Sequence, residues 1–300
     1  TFHSKDVYYK PSKEFKRSPK IFIILTVFRL DQGNNIFSII NIAENLALKT
    51  QNFTSATDSF NVAIGHLAGE KVTTGTQNTL IGSLAGDALT SGNNNVALGY
   101  LALSSDTLGD RNTAVGTNAL TAQNFTTSTD SYNTAVGFTA GASVTTGVEN
   151  TIVGGLAGDA LTTGVRNVAI GKSALSADTT GRFAVAIGKD ALAAQNFTGN
   201  TENYNVAVGA LAGKSVTTGT ANTIIGGLSG DALTTGSNNV AIGLSALSTD
   251  DVGSRSVAVG SNALESQNPA TATNMYNTAV GYGTGAAVTT GVQNTLVGGL

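Results

Sequence analysis

The chain of 300 residues contains no cysteine, no tryptophan, two histidines, one methionine and three prolines, and only 12% of it is charged. Without cysteine there is no disulfide framework, no thiolate metal site and no cysteine nucleophile. With His3 and His66 as the only imidazoles, histidine-based hydrolysis and metal ligation have almost nothing to work with. The scarcity of charge, at a net −3 with 41% hydrophobic residues, excludes a chain held open by self-repulsion. Seven of the 16 basic residues (Lys5, Lys10, Lys13, Lys16, Arg17, Lys20 and Arg29) fall in the first thirty positions. The rest of the chain is mildly acidic and offers no phosphate-binding surface, so nucleic acid is not an expected partner. What is abundant is glycine, 37 residues, but not at every third position as collagen requires.

The glycines mark a repeat. A pattern N-[VT]-A-[IV]-G recurs with glycines at Gly65, Gly82, Gly99, Gly116, Gly137, Gly154, Gly171, Gly188, Gly209, Gly226, Gly243, Gly260, Gly281 and Gly298. The spacings are 17, 17, 17 and 21, a super-repeat of 72 that restarts at Asn61, Asn133, Asn205 and Asn277. A 17-residue period is too short for a helical solenoid but suits one coil of a β-solenoid. The expected fold is therefore all-β, a parallel β-roll or β-solenoid over residues 45–300, preceded by a non-repeat segment, 1–44.

Each coil reads as two short strands and two turns. In the N-V-A-I strand, Val62 and Ile64 share one face and Ala63 and Gly65 the other. The bulky fourth position (Ile64, Ile81, Leu98, Val115, Val136 and onward) is expected inside. The small face (Ala63, Ala114, Ala135, Ala169, Ala207, Ala241) is expected outside, against another chain. The second strand is expected in phrases such as Lys71–Gly75 and Ala88–Gly92, with Gly75 and Gly92 turning the chain at positive φ. Coils stacked about 4.8 Å apart would bring the opening asparagines into an axial amide ladder: Asn61, Asn78, Asn95, Asn112, Asn133, Asn150, Asn167, Asn205, Asn222, Asn239, Asn277 and Asn294. Ala184 and Ser256 interrupt it.

The phrase N-V-A-I-G-x-x-A, in fourteen tandem copies over residues 61–300, resembles the head repeats of trimeric autotransporter adhesins, the YadA-like β-roll, and is similar to repeats of phage tail fibres. The resemblance implies a left-handed roll and a homotrimer about a common axis that displays a binding surface. Coils of 17 and 21 are longer than the usual head repeat, and the array runs to Leu300 inside a repeat, so a fragment is expected.

In the first segment a basic stretch from Lys10 precedes the apolar run Ile21–Phe28. Eight apolar residues cannot span a bilayer. A signal or anchor remnant, an assembly segment and a β-strand capping the first coil are the alternatives.

Candidate chemistry is sparse. Gly171-Lys172-Ser173 and Gly213-Lys214-Ser215 imitate a phosphate loop, but its earlier glycine is replaced by Arg166 and Val208. Asp87, Asp159 and Asp231 recur in register. At four coils apart they cannot share a calcium ion within one chain, and they read as solvated or turn-capping. Asn-Phe-Thr sequons at Asn52, Asn124 and Asn196 lie in the longer coils and are possible N-glycosylation sites, whereas Asn268 is followed by proline. Thr-Thr-Gly phrases at Thr73, Thr145, Thr217 and Thr289 raise ice binding, but adjacent threonines point to opposite faces. No catalytic, cofactor or metal site is expected. The expected role is a structural or adhesive fibre segment, extracellular and on a cell or virion surface, with a host surface, matrix or glycan receptor. Membrane contact is expected only through the first segment or missing parts. A self-assembling extracellular filament or tail-fibre shaft, and an ice-binding solenoid, are the alternatives.

Overall fold

A computed structural model describes residues 41–42 (as backbone strand), 46–53 and 58–299. The run Ile21–Phe28, and with it the choice between cap and signal, lies outside the described residues. The described chain is all-β. Fourteen three-residue strands, from Val62–Ile64 to Thr295–Val297, stack in chain order, each parallel to the last. They pair residue for residue: Val168, Ala169 and Ile170 lie beside Val185, Ala186 and Ile187. Asn41–Ile42 adds a fifteenth strand, pairing with Ala63 and Ile64. The sheet therefore begins inside the segment assigned to non-repeat sequence, short of the boundary at 44. Fourteen coils at the usual strand spacing of about 4.8 Å make a rod about 65 Å long.

Each coil has one strand of the main sheet, not two. The segments 71–75 and 88–92 are bends, joined coil to coil by bonds such as Thr73 N–H to the Thr90 carbonyl (2.8 Å). Added residues on the turn side form only two-residue strands, Gly109–Asp110 against Thr129–Asp130 and Gly253–Ser254 against Thr273–Asn274. Gly75 and Gly92 are not at positive φ. Their requirement is space: a Cβ on Gly75 would lie 2.4 Å from the Gly92 carbonyl oxygen. Positive φ belongs elsewhere, to the glycine closing each strand (Gly171, φ 129°), and, at left-handed values, to residues such as Leu67 and Leu175. A leucine there costs about 1–2 kcal/mol, which stacking and burial must offset.

The strand faces the opposite way from expectation. In each coil the middle residue is buried and its neighbours are half-exposed: Ala63, Ala114, Ala135, Ala169, Ala207 and Ala241 are 0% exposed, while Ile64, Ile81, Leu98, Val115, Val136 and Ile170 look outward. The alanines suit the lumen because leucines from the turn side fill it. Leu103, Leu120, Leu175, Leu192, Leu247 and Leu264 project there from coils whose strand centre is Ala. Where that turn position is Gly (Gly69, Gly86, Gly141, Gly158), a large strand residue, Leu80 or Ile152, occupies the space instead. Core volume is thus exchanged between the two walls with a four-coil period.

Candidate functional site

Three axial features run along the rod. The first is the asparagine row. Its amides are buried in every coil but the last, where Asn294 is half-buried, and they bond in two directions: Asn61 Oδ1 accepts the Asn78 backbone N–H (2.9 Å), while Asn61 Nδ2 donates to the Gly75 carbonyl (2.7 Å). The same pair recurs at Asn78, Asn95, Asn150, Asn167, Asn222 and Asn239. Direct amide-to-amide bonds are fewer, as from Asn112 to Asn95 (3.1 Å). Asn133 and Asn205 accept from Asn150 and Asn222, and the Asn294 N–H donates to Asn277 Oδ1 (2.9 Å). At the missing rung, Ala184, the side-chain carbonyl of Asn203 reaches in and accepts the Asn205 N–H (3.0 Å). Ser131 stands at the equivalent place in the preceding super-repeat, where Asn112 is present and accepts a bond from the Ser131 hydroxyl.

The second feature is absent from the sequence expectations. Asp106, Asp178 and Asp250 are 0% exposed inside the lumen, each followed one coil later by a fully buried glutamine. Gln123 Nε2 donates to Asp106 Oδ2 (2.6 Å), and Asn133 Nδ2 donates to Gln123 Oε1 (2.8 Å). Asp106 Oδ1 accepts the Gly109 and Phe125 N–H groups (3.0 and 3.3 Å). The layers at Asp178–Gln195–Asn205 and Asp250–Gln267–Asn277 repeat this relay. Burial pushes the Asp106 and Asp250 carboxyls up, with the glutamine bond opposing. The signal lies in the repeat: Val72, Leu89, Asp106 and Gln123 occupy one coil position, and the order recurs at Val144, Leu161, Asp178 and Gln195.

These layers account for the residues around the sequons. Asn52, Asn124 and Asn196 are exposed, and Asn124 and Asn196 accept hydroxyl bonds from Thr107 and Thr179 (3.0 and 3.1 Å). Phe125 and Phe197, only 5% exposed, donate their backbone N–H groups to the buried Asp106 and Asp178. The threonines of the first Thr-Thr column spend their hydroxyls along the axis: Thr73 donates to the Thr90 carbonyl (3.1 Å), Thr145 to Thr162 and Thr217 to Thr234. Of the two readings of Asp87, Asp159 and Asp231, solvated or turn-capping, the fully solvated one does not hold. Each is half-buried with Oδ1 buried and unpartnered among the described residues, and burial pushes each carboxyl up. Four coils separate them, and no group of three His, Asp or Glu comes together among the described residues.

The third feature is the outer surface of the sheet. None of its outward positions in the fourteen strands is charged: the first is Val or Thr and the second is Ile, Val or Leu in every coil. Two columns of larger side chains border it. One follows the strand and includes His66, Tyr100, Phe138, Lys172, Lys189 and Tyr282, all exposed. The other precedes the asparagine and stacks on itself. The Arg111 guanidinium lies over the Tyr132 ring (5.5 Å), Arg166 pairs with Glu149 (2.7 Å) and lies over Phe183 (5.7 Å), and Arg255 lies over Tyr276 (5.7 Å).

No protein-family model and no curated protein matches the chain.

Proposed function

We propose that the protein is a structural, adhesive fibre segment: a rigid, left-handed rod whose copies pack side by side through the outer face of the sheet, as a homotrimer, at an extracellular, cell or virion surface. The observation that carries this reading is the uncharged face of Val, Thr, Ile and Leu side chains. The outward strand positions alone form a strip about 65 Å long and about 10 Å wide, close to the roughly 800 Å² per partner of a standard stable interface. A contiguous apolar surface of that size on a soluble chain marks an association site. The likeness of N-V-A-I-G-x-x-A to adhesin head repeats supports the trimer and the hand. No catalytic role is proposed: the carboxylates of Asp106, Asp178 and Asp250 are tied to structural donors, and Asp87, Asp159 and Asp231 stand four coils apart from one another.

The packing surface is the Val/Ile face, not the alanine face. Ile170→Lys with Ile242→Lys should release folded monomers in sedimentation, since both side chains point out of the coil. Unchanged assembly would refute the interface. Electron microscopy separates discrete short rods from the alternative reading, a filament. That alternative is favoured by the face itself, which is alike at every coil and so permits staggered copies.

A further inference from the structure

The self-stacking column beside the sheet has one break. Its residues, one per coil, run Glu149, Arg166, Phe183, Tyr204, Ala221, Asn238 and Arg255. Each immediately precedes a residue of the buried row, and all six from Arg166 onward fall one coil apart by the strand register. Phe183 and Tyr204 are stacked face to face, with centroids 5.4 Å apart and planes within 6°. The next coil should continue the stack but carries only a methyl group, Ala221, itself exposed. Across the sheet the same coil bears Gly227. The other aromatics of this column, Phe60, Tyr132 and Tyr276, are followed in the next coil by Gln77, Glu149 and Gln293, long side chains that can cover a ring.

We infer that this break is a binding slot for a single pyranose ring of a glycan. From the Tyr204 level to the Asn238 level is two coil spacings, about 9.6 Å, which leaves room for one ring in contact with both sides. The free Tyr204 face, 55% exposed, is held flat from beneath by Phe183 and the Arg166 guanidinium. A rigid aromatic platform loses little entropy on binding. Polar groups flank the break. The Tyr204 hydroxyl donates to Glu202 Oε2 (2.5 Å), while Glu202 Oε1 makes no hydrogen bond among the described residues. The Asn238 amide is exposed on the far side. Aromatic face, carboxylate and amide together match the apolar CH face and hydroxyl rim of a sugar. A phenyl side chain of another protein would use the face and leave the carboxylate and amide idle, whereas a guanidinium would use the face and the carboxylate and is the competing outcome of the test. The slot lies before the strand and does not depend on how copies associate.

The test uses saturation-transfer NMR on the intact chain with methyl glucoside, methyl galactoside and methyl N-acetylglucosaminide as probes, and N-acetylargininamide as the competing chemistry. At least one glycoside should show transfer confined to the ring protons of one face. Tyr204→Ser should reduce that transfer at least fivefold. Ala221→Tyr, which fills the break and extends the existing stack, should abolish it in a variant whose circular dichroism and melting match the parent. Ala221→Ser should leave it intact. The proposal is overturned if no glycoside shows transfer at about 10 mM, if only N-acetylargininamide does, or if transfer survives Ala221→Tyr.

Discussion

Replacing Ile152 by alanine tests which way the strand faces. Ile152 is 0% exposed at the centre of its strand, and its Cδ1 stands 2.9 Å from where a Cβ on Gly141 would be and 3.4 Å from one on Gly158. Removing three carbons costs about 2.4 kcal/mol at roughly 0.8 kcal/mol per buried methylene. The two glycines offer no side chain that could relax into the void. The loss should therefore lie in the upper part of the usual 2–5 kcal/mol range, about 3–4 kcal/mol. The neighbouring Val153 points outward and is half-exposed, so Val153→Ala should cost less than about 1 kcal/mol within a folded chain. Urea unfolding followed by circular dichroism, at several protein concentrations so that assembly is separated from folding, measures both. A larger loss from Val153→Ala than from Ile152→Ala, independent of concentration, would refute the assignment of the interior.

Charge, close approach and the amide row give further tests. Asp87, Asp106, Asp159, Asp231 and Asp250 all have raised carboxyls, caused first by burial. Folding therefore favours their protonated forms, so stability should be greatest below the ordinary value of 3.8 and fall as pH rises above it. Exposed Glu149, lowered by Arg166, works weakly in the other direction. Replacing Asp87, Asp159 and Asp231 together by asparagine should flatten a melting curve recorded between pH 3.5 and 7, and an unaltered slope would contradict the cause. Gly147→Ala should disrupt coil stacking, because its Cβ would fall 2.3 Å from the Gly164 carbonyl oxygen, whereas Gly155→Ala meets nothing within 4 Å; equal melting temperatures would show that the coils are less closely packed. Asn203→Ala should cost more than Ser131→Ala, about 1–3 kcal/mol for an orphaned buried N–H, because only Asn203 bridges a missing rung; denaturant midpoints compare them.

The repeat, the parallel stacking and the position of the amide row are readable from residue spacing alone. The direction of the strand is harder, although the information is present. Alternation divides a strand into two sets without saying which is inside, and size favours Ile64 over Ala63. Parity decides it: Asn61 must be buried to form its bonds, and Ala63, two residues on, shares its face. A second strand is suggested by Val72, which looks like a strand centre but is a lone inward side chain in a bend. The Asp106–Gln123 layers emerge only when charged residues are compared by coil position, because taken one at a time each aspartate looks like a surface residue. The Ala221 break depends on what stacks against what, which spacing alone does not display.

Sedimentation velocity of the unmodified chain at micromolar concentration, beside Ile170→Lys with Ile242→Lys, measures the central claim most directly. The unmodified chain should sediment as a trimer of elongated rods and the double variant as a folded monomer with the same circular dichroism. An unmodified chain that is folded and monomeric at that concentration would contradict side-by-side packing through the Val/Ile face.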